Sequence, residues 1–128
     1  MKRVLVVDDE DAIRRMLTDV FEAYGYEVRT AANGREALEE VERHPPSVVV
    51  LDAIMPVMDG PAFLNEQRRR RDLPHVPTVV ISAYPDRAEA QMTGVGVEGF
   101  LPKPFRPQEL VRLVEQIAFT EATAQRTP

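Results

Sequence analysis

Apolar positions along this chain keep two rhythms. Val4 to Val7, Val48 to Leu51 and the core of Thr78-Val79-Val80-Ile81-Ser82 are short unbroken runs rich in β-branched residues. Such runs suit strands buried on both faces. Between them the apolar residues recur at helical spacing. Ile13, Met16, Leu17, Val20, Phe21 and Tyr24 make one face of a helix that Gly25 closes. Ala37, Leu38 and Val41 give a second helix its face, and His44-Pro45-Pro46 ends it. Phe63 and Leu64 can pack a third helix, but Glu66 to Asp72 is polar throughout, which predicts a short, largely solvated element. Leu110, Val114, Ile117 and Ala118 face one way on a last helix.

The weaker segments complete the alternation. Glu27 to Ala31 reads as a more exposed strand, and Gly99 to Pro102 as a short final one. Asp86 to Val97 is a poor helix, because Thr93, Gly94 and Gly96 interrupt it and strong apolar positions are few. Strand then helix, five times over, predicts an α/β fold with a parallel sheet, helices on both faces and right-handed crossovers. Residues 1–119 form the predicted domain. Residues 120–128, small and polar, read as a tail or the start of a linker.

Parallel strands bring their carboxyl ends to one edge of the sheet, where open α/β folds bind ligands. The residues just past each apolar run are therefore informative. Asp8 and Asp9 stand after the first strand, Asp52 at the end of the third, Ser82 at the end of the fourth and Lys103 after the fifth. Met55-Pro56 stops the chain just beyond Asp52. Crowded carboxylates repel one another and invite a hard divalent cation. Mg²⁺ takes oxygen ligands and shares its sphere with phosphoryl oxygens. A lysine and a hydroxyl beside it complete the charge balance for a transferring phosphoryl group. Asp52, on the central strand, is the best placed nucleophile.

Composition narrows the classes. The chain has 128 residues, 44% hydrophobic and 29% charged, which suits one globular domain. A net charge of −5 argues against non-specific nucleic-acid binding and fits a cytoplasmic location. The absence of cysteine excludes a disulfide framework, a thiolate zinc site and a cysteine nucleophile. No apolar run approaches membrane-spanning length.

Four motifs, in order and spacing, carry a family resemblance over about residues 1–119. They are Val4-Leu5-Val6-Val7-Asp8-Asp9-Glu10, Asp52 to Gly60, Ile81-Ser82-Ala83 and Phe100-Leu101-Pro102-Lys103-Pro104-Phe105. Together they resemble the receiver domains of two-component response regulators. The resemblance implies a flavodoxin-like doubly wound sheet of five parallel strands, order 2-1-3-4-5, with five helices. It implies Asp52 as phosphoacceptor, with Asp9 and Asp52 as direct Mg²⁺ ligands, Asp8 acting through water and Ile54 through its backbone carbonyl; Mn²⁺ can substitute. Lys103 is implied as the phosphoryl-binding lysine, preceding a cis peptide to Pro104. Ser82 is implied as the switch hydroxyl, and Phe100 as the aromatic whose rotamer responds to it.

The implied partners are a sensor histidine kinase or phosphotransfer protein upstream, and a separate protein or the chain's own output domain downstream. The resemblance also allows phosphorylated copies to pair. It implies no membrane and no direct nucleic-acid contact by this domain. The domain would catalyse only its own phosphorylation and hydrolysis. Bulky Ile54 and Tyr84 predict slow self-dephosphorylation, and the glycine-rich 86–97 segment is the expected mobile element. Plainer readings stay open for single residues: Asp8 as a helix cap, Phe100 as core, Arg68 to Arg71 as cations at a helix C-terminus. A phosphatase of the haloacid dehalogenase type wants a second acid where Ile54 stands. A nucleotide-binding module wants a glycine-rich phosphate loop that the chain does not contain. A receiver kept only for docking would not need the acids, the serine and the lysine together.

Overall fold

The computed structural model describes residues 2–55, 57–92 and 96–126, with side chains described to residue 118. Five strands, β1 (Arg3–Val7), β2 (Glu27–Ala31), β3 (Val48–Asp52), β4 (Thr78–Ser82) and β5 (Gly99–Pro102), form one parallel sheet in the order 2-1-3-4-5. They alternate with α1 (Asp11–Ala23), α2 (Gly34–Arg43), α3 (Gly60–Arg69), α4 (Pro85–Gln91) and α5 (Pro107–Arg126).

Period-two alternation divides the strand residues between two cores. Val4, Val6, Val48, Val50, Val79 and Ile81 meet Leu17 and Phe21 of α1 and Leu110 and Val114 of α5. Leu5, Val7, Val49, Leu51 and Val80 meet Ala37, Leu38 and Val41 of α2, Phe63 and Leu64 of α3, and Ala88 of α4. Every position of β3 and β4 is buried, as the unbroken runs predicted, while β2 at the sheet edge is mostly open.

Caps fix where two helices begin. Asn33 Oδ1 accepts the Glu36 N–H at 2.9 Å, and Asp59 Oδ1 accepts the Ala62 N–H at 3.1 Å. The β3–α3 loop is tightly packed. A Cβ on Gly34 would stand 2.3 Å from Met58 O, and one on Gly60 would stand 2.9 Å from Ala53 Cα. Val57 and Met58 take φ values of 54° and 48°, a left-handed pair that side chains disfavour. The Gly34 N–H donates to Met58 O at 2.9 Å and holds the loop in that shape.

Three sequence expectations need adjusting. The apolar stripe of α1 is too wide: Leu17 and Phe21 are buried, but Met16 is 36% exposed and Tyr24, beyond the helix end, 51%. The polar half of α3 is not simply solvated, since Gln67 is buried and its Nε2 donates to Pro74 O at 3.0 Å. The weak fourth helix stops at Gln91, ahead of the glycines, and Thr93 and Gly94 lie outside the described residues, as does Pro56. The α5 backbone stays helical to Arg126, through most of the segment read as a tail. Among the described residues no helix is long and apolar enough to cross a membrane.

Candidate functional site

Register brings the strand ends level. Val7 pairs with Leu51, so Asp8 comes after β1 at the height of Asp52, the last residue of β3. Ser82 pairs with Pro102, and Lys103 is the next residue. The β1, β3 and β5 ends meet at one edge, with oxygens of Asp8, Asp9 and Asp52 all within 4.8 Å of one another.

Lys103 occupies the centre. Its Nζ donates to Asp8 Oδ2 at 3.0 Å, and lies 3.6 Å from Asp52 Oδ2 and 3.8 Å from Glu10 Oε1. Its backbone is fixed by its N–H donating to Ser82 O at 2.7 Å and by the cis peptide to Pro104. Burial works against the lysine's charge. The hydrogen bond to Asp8 and the charges of Asp8, Asp52 and Glu10 outweigh it and raise its pKa.

Asp8 is fully buried. Its Oδ1 accepts the Glu10 N–H at 2.9 Å, so its side chain shapes the β1–α1 turn without reaching the first turn of α1. Asp9 is exposed at the mouth. Asp52 is 5% exposed, and the Ile54 N–H donates to its Oδ1 at 3.2 Å, leaving Oδ2 turned toward Lys103. Burial, and next the Asp8 charge, push the Asp52 carboxyl up to about 6; the Ile54 N–H and Lys103 oppose this, and Asp9 adds to it. Two ordinary causes of a raised carboxylate pKa, desolvation and like charge, therefore act on one side chain.

Three carboxylates with one ammonium leave the cluster under-neutralised. A divalent cation would relieve that excess, and an all-oxygen donor set suits Mg²⁺ better than a soft metal. The donor chemistry thus fits the cation that the resemblance implies.

The remaining expected residues stand nearby in other ways. Ser82 is fully buried, and its Oγ accepts the Tyr84 N–H at 2.9 Å. Phe100, in register with Val80, is half-buried against the core under α2, α3 and α4. Tyr84 is 61% exposed and Ile54 half-buried. Sequence reasoning missed Arg14. Its Nη1 donates to the Asp8 carbonyl at 2.6 Å and its Nη2 to Asp11 Oδ1 at 2.8 Å, pinning the turn that carries Asp8 and Asp9. The i, i+3 spacing of Asp11 and Arg14 is a visible signal for half of that clamp. Glu10, lying toward Lys103, is likewise hidden within an acidic run.

Comparison with known proteins gives one consistent result. The family model described as the response regulator receiver domain matches residues 4–115. The chain is 42% identical over 111 residues to the probable transcriptional regulator ycf27 of Cyanophora paradoxa, covering 85% of this chain and 45% of that protein. It is 38% identical over 117 residues to the sensor kinase CckA of Brucella abortus (strain 2308), covering 89% of this chain and 12% of that one. The chemotaxis response regulator CheY4 of Vibrio cholerae superposes with a TM-score of 0.82 at 34% identity, covering 91% of this chain and 98% of that one. The chain spans about half the length of the ycf27 proteins it matches.

Proposed function

This chain belongs to the response regulator receiver family of two-component signalling, and from that premise we propose that it is a switch thrown by phosphorylation of Asp52. The observation that carries the reading is the pairing of three converging carboxylates with an ammonium that reaches two of them. Neither a docking-only surface nor a turn-capping aspartate accounts for that arrangement.

The donor is a phosphohistidine on a sensor kinase or phosphotransfer protein. The phosphorus–nitrogen bond to the imidazole breaks as a bond from an Asp52 oxygen to phosphorus forms, and the imidazole leaves with the electron pair. Asp52 must be ionised to attack, and a pKa of about 6 keeps it mostly so at neutral pH. The N–H of Ile54 fixes one carboxylate oxygen, so the oxygen facing Lys103 is the one presented for attack. Lys103 then shifts from Asp8 toward the new phosphoryl oxygens, which carry the charge it can stabilise. Ser82 keeps the Tyr84 N–H on its oxygen and turns its own O–H to the phosphoryl group. Asp9, Asp52, Asp8 through water, and the Ile54 carbonyl would hold Mg²⁺, which supplies charge neutralisation when bound. Downstream, the face of α4, β5 and α5, with Phe100 behind it, changes its affinity for a partner. Relatives named as a transcriptional regulator and as a sensor kinase leave that partner free to be a separate protein or a further domain. A switch of this kind works in the cytoplasm, beside a kinase's catalytic half.

The test is incubation with a small-molecule phosphodonor, with and without Mg²⁺, read by intact mass. Wild type with Mg²⁺ should gain one phosphoryl group, and Asp52→Asn none. Equal labelling of Asp52→Asn, or labelling indifferent to Mg²⁺, would overturn the assignment.

A further inference from the structure

Arg14 serves the site from outside it. It lies at the end of the first turn of α1, its side chain 19% exposed, and reaches back toward β1. Its Nη1 donates to the Asp8 carbonyl at 2.6 Å, and its Nη2 to Asp11 Oδ1 at 2.8 Å. The i, i+3 pair with Asp11 alone would be an ordinary helix-surface contact of small worth. The bond to the Asp8 carbonyl is different, because that oxygen lies in the peptide plane joining Asp8 to Asp9. The next plane is anchored as well, since the Glu10 N–H donates to Asp8 Oδ1 at 2.9 Å. Asp9 therefore stands between two fixed planes. Its side chain is exposed, so its placement falls to the backbone. Glu10, at the N-cap of α1, makes no side-chain cap, which leaves more of the turn to Arg14. Neighbouring Arg15 also pairs with Asp11, through Oδ2, but is 77% exposed.

We propose that Arg14 is a positioning residue for the metal: its hold on the Asp8–Asp9 peptide keeps the carboxylate site rigid enough to favour Mg²⁺ over the larger Ca²⁺. This role rests on the reading that Asp8, Asp9 and Asp52 hold Mg²⁺. Mg²⁺ demands near-ideal octahedral geometry, whereas Ca²⁺ accepts variable ligand numbers and longer distances. Rigidity at the ligands therefore decides between the two ions. Groups that orient ligands without touching the metal govern its affinity in many sites. A guanidinium suits this task, because its planar fork meets a carbonyl and a carboxylate in fixed directions, which the point charge of a lysine does not. The charge itself gives no help. A cation beside a metal site repels the metal, so an Arg14 acting through charge alone would weaken Mg²⁺ binding and its removal would strengthen it. Clamp and charge thus predict opposite signs.

The test titrates isotope-labelled, unphosphorylated protein with MgCl₂ and, separately, with CaCl₂ at constant ionic strength. Amide resonances of residues 8–10 and 52–54 report binding, and those of α2 and α3 report that the variants stay folded. Arg14→Gln should weaken Mg²⁺ binding about tenfold and Ca²⁺ binding by less than about threefold. Arg14→Lys keeps the charge and should lose nearly as much, and it stands in if Arg14→Gln does not fold. Arg15→Gln removes the same charge from the same partner, Asp11, and should leave both affinities unchanged. A Mg²⁺ affinity in Arg14→Gln equal to or above that of wild type would overturn the proposal. So would equal losses for the two ions, a matching loss in Arg15→Gln, or wild-type affinity in Arg14→Lys. A wild type without saturable Mg²⁺ shifts would overturn the metal site itself, and this role with it.

Discussion

At the scale of single residues, Asp52 ties function to stability. Its carboxyl sits at about 6 in the folded protein against an ordinary value near 3.8. A raised folded pKa gives stability that is fully present below pH 4 and is lost as pH climbs through 6. The gap corresponds to roughly 3 kcal/mol by pH 7.5. Asp52→Asn removes that loss, so in urea denaturation without Mg²⁺ it should stabilise the protein by about 2 kcal/mol at pH 7.5 and by little at pH 4. An equal gain at both pH values would contradict the sign. Lys103→Gln works in the opposite direction. It leaves fully buried Asp8 without its ammonium and should cost about 3 kcal/mol. Phosphodonor labelling should slow by about 100-fold, the usual scale for losing one charge-stabilising donor. On the proposed reading, the bulk of Ile54 and Tyr84 would hinder the water that hydrolyses the aspartyl phosphate. Phospho-Asp52 should outlast seconds, and Ile54→Asn or Tyr84→Glu should shorten its lifetime; a lifetime of seconds that neither variant changes would remove that role.

At the scale of elements, the β3–α3 loop carries the clearest prediction. Gly34 leaves no room for a Cβ beside Met58 O, which is backbone and cannot swing aside. Gly34→Ala should therefore cost about 2 kcal/mol or more in thermal or urea unfolding, whereas Ala at exposed Glu39 should change little. The same loop separates legible features from hidden ones. Asp8, Asp9, Asp52, Ser82 and Lys103 could be placed because each stands at the end of a strand-like run, and parallel topology does the rest. Arg14 on the Asp8 carbonyl could not, because a side chain to backbone bond leaves no periodic mark. Val57 and Met58 were equally hidden, since neither residue type announces a left-handed backbone. Met16 and Tyr24 misled for a simple reason: an apolar stripe marks which face a helix can bury, while the sheet's width decides how much of it is covered. Gln67 misled the other way, as a polar residue buried by one bond to a loop carbonyl.

At the scale of the whole molecule, signalling requires that charge added at one edge alter a surface elsewhere. The fold is unevenly stable for this purpose. β3 and β4 are buried at every position, but α4 is seven residues long and Ala88 is its buried residue. Segments with so little packing open and shift at low cost. The link to the site is short. Ser82 Oγ accepts the N–H of Tyr84, and Tyr84 immediately precedes α4, with its carbonyl taking the Ala88 N–H at 2.9 Å. On the proposed reading, a phosphoryl group would bring between one and two negative charges and strong acceptor oxygens to Asp52. If Ser82 moves to donate to it, the start of α4 must move with it or lose a bond. Hydrogen exchange should then change in residues 84–91 and in β5 on phosphorylation, with α1 and α2 nearly constant. Ser82→Ala should still accept a phosphoryl group on Asp52 yet show no change in α4, since the connecting oxygen is gone. If the α4 response survives in that variant, the coupling runs instead through the backbone of Lys103 and β5, which the Lys103 N–H bond to Ser82 O ties directly to the end of β4.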